Sequence, residues 1–220
     1  GYLDRRSAKT QGNREMAVLS IVWSKARMWG MTDLHWPAAG VKGWKNPEKA
    51  RTFEVTDALF EALYAAGDSV LQDALDIATA TGMRLTDVRT VRMPSDGKLR
   101  FTAEKTGKWA YFEVAQSPVL TELIERRGKM SCVMLLCTST GRQVTESMLR
   151  TRYDNAREKA ACANPLLADD LRAMYLRDSR KRAADLAEDS ASATALLQHS
   201  NAGLVSKHYR TKATQLKAVR

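Results

Sequence analysis

No stretch of this chain comes near the roughly 20 consecutive apolar residues that a membrane-spanning helix needs, so a helical span is excluded and no membrane partner is expected. Cysteine is scarce. Cys132, Cys137 and Cys162 are an odd number without a Cys-x-x-Cys pair, which points to reduced core thiols rather than a disulfide framework. Histidine is equally scarce, and His35, His199 and His208 do not combine with the cysteines into zinc-ligand spacing. Neither a metal nor an organic cofactor is expected. Internal repeats and low-complexity tracts are absent, so a solenoid or an array is excluded. The opening residues, Gly1-Tyr2-Leu3-Asp4, include no initiator methionine and no signal-peptide core, so the chain reads as a fragment that begins inside a longer protein.

What the chain does have is positive charge. Its 35 Lys and Arg against 25 Asp and Glu leave a net +10, for which a polyanion, DNA or RNA first, is the simplest partner. A solubilising surface would give the same sum, so the charge needs support from motifs.

Residues 13–29 read as one helix, with Met16, Leu19, Trp23, Ala26 and Trp29 at three- or four-residue spacing on one face. The stretch after it holds Gly, Pro and many charges and reads as an exposed connector. Trp29, Trp36 and Trp44 fall in this region, where they are expected to pack a helix onto a neighbour. From residue 51 the pattern is regular. Thr56 or Asp57 caps a helix that ends at Gly67, and Asp68 caps a second that ends at Gly82. The alternating segments KLRFTAEK and WAYFEV flank Thr106-Gly107 as a β-hairpin. Ser117-Pro118 starts a helix, VMLLC is a short buried run, and Thr145 opens a helix to about Ala161. From Ala168 to Tyr209 the pattern is helical with breaks near Ser190 and Asn201. The expected fold class is mainly α with one small antiparallel β-sheet. Two domains are expected: 1–50, a helix plus linker, and 51–220.

Four patches carry chemistry. In ATGMRLTDV, Arg84 follows a helix that stops at Gly82, and Asp87, one turn on, could brace it. In AEKTGKWAYFEV, Lys105 and Lys108 flank the hairpin turn, where a lysine could reach a DNA groove. In YLRDSRKRAADLAED, Arg177, Arg180 and Lys181 are spaced to share a helix face suited to phosphate, with Asp185 and Glu188 as the balancing acids. In ALLQHSNAGLVSKHYRTK, Tyr209 lies ten residues after His199 among Lys207, His208, Arg210 and Lys212. Positive charge there favours the phenolate, the form a nucleophile at phosphorus needs. Taken singly, the first two patches read better as solvated surface, and the third has a solvated charged face as its alternative.

Together and in this order, the four resemble the tyrosine site-specific recombinases of the phage-integrase type. TGMRLTDV is similar to the family's first arginine box, EKTGKW to its hairpin lysine box, RDSRKRAA to its HxxR box, and LLQHS with SKHYR to its histidine and tyrosine boxes. The likeness runs from about residue 51 to 212, while residues 1–50 resemble the last helix of the DNA core-binding domain and the interdomain linker. Three departures stand out. Arg177 replaces the first histidine of HxxR, and arginine is no general base near neutral pH. The segment after His199 is about one residue longer than usual, and Gln198 stands where the family has Gly. A shifted register would make Arg177 the second arginine; the 19-residue gap from Arg180 to His199 favours Arg180.

The resemblance implies the recombinase catalytic-domain fold and a catalytic set of Arg84, Lys105, Arg177, Arg180, His199 and the nucleophile Tyr209. Asp87 stands behind them, and Lys108, Lys181, Lys207 and Arg210 are DNA contacts. It implies metal-independent cleavage and rejoining of phage or mobile-element DNA through a 3′-phosphotyrosyl link. Also implied are double-stranded attachment sites as partners, a homotetramer on DNA with a monomer off it, and a bacterial cytoplasm as location. Two alternatives stay open: a topoisomerase IB or telomere-resolvase type of enzyme, and a non-catalytic DNA-binding protein on a degenerate recombinase scaffold.

Overall fold

The computed structural model describes residues 1–128 and 132–198. The chain divides into two compact units, residues 1–50 and a second beginning at Arg51. In the first, a single turn α1 (Tyr2–Arg5) precedes the long helix α2 (Lys9–Met28), and the residues after it are irregular. Helix α2 begins four residues before the expected start, because Lys9 to Gly12 carry no apolar signal. Asn13, predicted to open the helix, is buried inside it. Its side chain binds Asn46 N and O, at 2.9 and 2.8 Å, and Glu48 Oε1 at 2.8 Å.

The expected apolar face of α2 needs correction. Met16, Ser20 and Trp23 are half-buried, whereas Leu19 and Trp29 are 46% and 67% exposed. At about 100° per residue, Trp29 has turned about 140° from Met16, so the repeated three-residue steps walk off the face. The aromatic contact that forms is Trp23 edge-on to Trp36, with centroids 5.8 Å apart and Trp23 Nε1 donating to Leu34 O.

The second unit is built around α4 (Ser69–Thr81), whose Leu71, Ala74, Leu75 and Ile77 are fully buried. Around it pack α3 (Asp57–Ala66), α5 (Leu85–Thr90), α6 (Pro118–Arg127), α7 (Glu146–Ala163) and α9 (Ser179–Leu186). Short helices α8 (Ala168–Ala173) and α10 (Ser190–Leu196) complete the described part. Local chemistry sets the starts: Thr56, Asp68, Ser117, Thr145 and Asp189 each accept a backbone N–H from the first turn that follows. Between Ala168 and Ser190 the helix is broken once more than expected, at Met174-Tyr175, before a 3-10 turn at Leu176–Asp178.

Strands β1 (Lys98–Thr102) and β2 (Trp109–Glu113) pair antiparallel, with Leu99 opposite Phe112 and Phe101 opposite Ala110. The core-facing Phe101 and Phe112 stack at 5.8 Å, and Gly107 takes φ +64° in the turn. Of the VMLLC run, Leu135, Leu136 and Cys137 are buried but Val133 is 60% exposed. Cys137 is the one buried thiol; Cys162 is on the surface, so the core-thiol expectation holds for one of the three. Behind Cys137, Asp73 sits between Arg127 and Arg126, and Arg127 also donates to Cys137 O at 2.8 Å. Burial pushes the Asp73 carboxyl up, and the two guanidiniums oppose that shift.

Candidate active site

Gly82 fixes the geometry of the first arginine patch. It ends α4 at φ +61°, a conformation that favours glycine, and a Cβ there would lie 3.1 Å from Leu197 Cδ2. The chain then turns through buried Met83, and Arg84 becomes the extended residue that opens α5. Arg84 is half-buried, and among the described residues no hydrogen bond or ion pair engages its guanidinium.

Arg180, in the first turn of α9, is 9% exposed. One terminal nitrogen donates to Gly82 O and the other to Leu197 O, the latter at 2.7 Å. It therefore ties the turn that presents Arg84 to the end of α10, two residues before His199. Arg84, Asp87, Phe101, Arg180 and Gln198 line one tight crevice with no room for a water molecule. Residues nearly 100 positions apart in sequence thus meet at one point.

Asp87 does not brace Arg84. It is 3% exposed, and its Oδ1 accepts the backbone N–H of Glu104 at 3.0 Å. Its function is to dock the base of the hairpin loop beside the crevice. Lys105 follows on that loop and is exposed. Lys108 reaches across to Gln198 O at 3.4 Å, so the hairpin also touches the end of α10.

The expected shared face of Arg177, Arg180 and Lys181 does not form. Arg177 lies in the 3-10 turn before α9, where three residues rather than 3.6 make a turn, so its angular relation to the helix is lost. It is exposed, with its guanidinium 4.8 Å from the Tyr175 ring, in a groove also lined by Arg89, Arg150 and Arg157. Lys181 is 8% exposed and donates to Arg51 O, so it is turned away from solvent, and burial lowers its ammonium pKa. That position corrects its assignment as a DNA contact. Asp178, the acid within the run, pairs with Arg51 outside it. His199, Lys207, Tyr209 and Arg210 lie outside the described residues.

Gln198, noted above as standing where glycine is usual, has φ +52°. A left-handed conformation costs an L-residue about 1–2 kcal/mol, and part of that relief is offset by the extra freedom glycine has when unfolded. Gln198→Gly is therefore expected to raise stability modestly, by up to about 1 kcal/mol, read as a higher melting temperature. A clear fall would show that the glutamine side chain holds the crevice wall.

The sequence matches no protein-family model and no curated protein. Solved structures do match. A dimer of lambda integrase residues 75–356 bound to a COC′ core site aligns over 100% of this chain and 80% of that one, at 17% identity and TM-score 0.75. A lambda integrase tetramer bound to a Holliday junction aligns over 100% of this chain and 64% of that one, at 16% identity and TM-score 0.74. The lambda integrase catalytic core aligns over 70% of this chain and 92% of that one, at 18% identity and TM-score 0.53. The chain has the α-rich fold of these structures, and its own described sheet is a two-stranded antiparallel hairpin.

Proposed function

We propose that this chain is the catalytic part of a tyrosine site-specific recombinase that cuts and rejoins double-stranded phage or mobile-element DNA in a bacterial cytoplasm. The observation that carries the reading is that Arg84 and Arg180, 96 residues apart, line one tight crevice beside the segment that leads to His199. The shared fold with lambda integrase, matched as a dimer bound to a COC′ core site and as a tetramer bound to a Holliday junction, and the net charge of +10 support it.

In this reading Tyr209 attacks the phosphorus in line. Its phenolic oxygen bonds to phosphorus as the P–O5′ bond breaks, leaving a 3′-phosphotyrosyl link. One phosphodiester replaces another, so rejoining needs no ATP. Arg84 forks onto the non-bridging oxygens and neutralises charge that grows in the transition state. Arg180 adds positive charge while holding both Arg84's turn and the approach to His199 in place. His199 hydrogen-bonds the same oxygens, and Lys105, on the exposed loop that Asp87 docks, protonates the departing 5′ oxygen. Four protomers across two DNA sites is the assembly the reading implies.

The test is capture of the intermediate. The chain is incubated with a library of nicked duplexes of randomised sequence, from which the short 5′ fragment diffuses after cleavage. A protein–DNA adduct that survives denaturation, mapped to the Tyr209 peptide by mass spectrometry, is the expected result. Absence of any adduct, with duplex binding retained, would favour the non-catalytic DNA-binding reading. That alternative draws on Arg177, which stands in the HxxR histidine's place yet lies on Tyr175, outside the set that lines the Arg84–Arg180 crevice.

Arg177 gives a separate expectation. Its exposed position predicts that Arg177→His leaves adduct formation at or above the original rate and changes stability by less than about 0.5 kcal/mol. A loss as large as that of Arg84→Ala would instead make Arg177 the second essential arginine.

A further inference from the structure

Arg51, the first residue of the second unit, was given no role from sequence, yet it is among the most heavily engaged side chains described. Its Nε and Nη2 fork onto the Asp178 carboxylate at 2.8–3.1 Å, and Nη2 also donates to Ala173 O at 2.6 Å. The guanidinium lies 4.6 Å from the Phe53 ring centre and 4.4 Å from that of Tyr175. Its main-chain carbonyl is held as well, by the Lys181 ammonium. Just beyond, Arg182 donates to Val55 O at 3.2 Å and pairs with Asp57 at 2.8 Å.

These contacts bracket Arg180. Asp178 and Lys181, on either side of it, both close on Arg51, so the start of α9 is bound to the segment through which the chain enters this unit. Asp178 is 1% exposed, and its Oδ2 also accepts Tyr175 N at 2.9 Å, which fixes the 3-10 turn leading into α9. A buried carboxylate that loses its cation must move toward water or take up a proton, and either change disturbs the turn. A lysine would keep the charge but not the planar fork.

We propose that Arg51 is a positioning residue for the catalytic centre: through Asp178 and Lys181 it sets where α9 delivers Arg180, and hence where Gly82 and Leu197 hold Arg84 and the approach to His199. This inference rests on the recombinase reading for its consequence in catalysis, but its structural part can be read without turnover.

Two measurements on the same variants test it. The first is the single-turnover rate of adduct formation on a saturating nicked duplex selected from the library above, taken well below each variant's melting temperature. Displacement of a supporting group by about 1 Å commonly costs up to about 100-fold, so Arg51→Met is expected to slow the reaction about 10- to 100-fold with duplex affinity within about twofold. Asp178→Asn should behave alike, and Arg51→Lys should recover part of the rate. The second is hydrogen exchange, which should quicken over Leu176–Leu186 and residues 193–198 in Arg51→Met but not over α7. An Arg51→Met chain that melts lower yet reacts at the parent rate would reduce the clamp to a stability feature and overturn the proposal, as would unchanged exchange over Leu176–Leu186. If the parent chain forms no adduct, the recombinase reading fails, and the exchange comparison alone decides whether Arg51 positions α9.

Discussion

Tyr209→Phe is expected to abolish covalent adduct formation on nicked duplex DNA and to leave duplex affinity within about twofold, since in the proposed mechanism the hydroxyl is the attacking atom and little else. No loss of larger size is expected from any other single-atom deletion in the chain. A phenyl ring cannot form the phosphotyrosyl bond at any rate, whereas removing a stabilising cation only slows a step that remains possible. In the proposed function, binding is drawn mainly from cations along the phosphate backbone, and Lys207, Arg210 and Lys212, which flank Tyr209 in sequence, are untouched by the change. Tyr175 is the instructive comparison. It is the described tyrosine nearest in sequence to the arginine patch and is 47% exposed, but its ring is in contact with Arg51 and Arg177. An adduct that persists in Tyr209→Phe and maps to Tyr175 would move the nucleophile; one that persists and maps elsewhere would end the assignment altogether.

Elements governed by neighbours in sequence were legible before the structure. Thr56, Asp68, Ser117 and Thr145 cap the helices they were expected to cap, because a cap involves atoms three residues apart. The hairpin around Thr106-Gly107 was legible from alternation and a turn glycine. Errors appear where a rule about regular geometry was carried past its range. Trp29 was assigned to a face from which the helix had already rotated away, and Arg177 was assigned to a helix that begins only after it.

The largest omission was long-range. Arg51 and Asp178 are 127 residues apart, and nothing local to either marks the pair, although an acid inside the run Arg177–Arg182 was a visible irregularity. The same run shows why charge is a weak guide to a binding surface. Lys181 and Arg182 bind main-chain carbonyls of the entering segment, and Arg180 binds two more at Gly82 and Leu197. The basic run read from sequence as a phosphate surface is therefore in large part the set of struts that orders the crevice, with Arg177 left at the exterior.

That division predicts different behaviour for the two arginines of the crevice. Arg180→Ala removes the donors to two buried carbonyls, each of which costs about 1–3 kcal/mol when left unsatisfied, so a loss of about 2–5 kcal/mol and a melting temperature lower by about 5–15 °C are expected. Arg84→Ala disturbs no hydrogen bond among the described residues, and its stability should stay within about 0.5 kcal/mol of the parent. Both variants should slow adduct formation by about 10²-fold or more, since in the proposed mechanism each removes positive charge from the phosphate as charge develops on it. Thermal melting together with single-turnover rates below both melting points separates the two effects. Arg180→Lys sharpens the comparison: one ammonium keeps the charge but cannot span Gly82 O and Leu197 O as the planar guanidinium does. It should therefore recover little of the stability and, with Arg84's turn no longer tied to the end of α10, only part of the rate. Parent-like melting of Arg180→Ala would mean that those carbonyl bonds do not order the site, and parent-like turnover of Arg84→Ala would remove Arg84 from the phosphate.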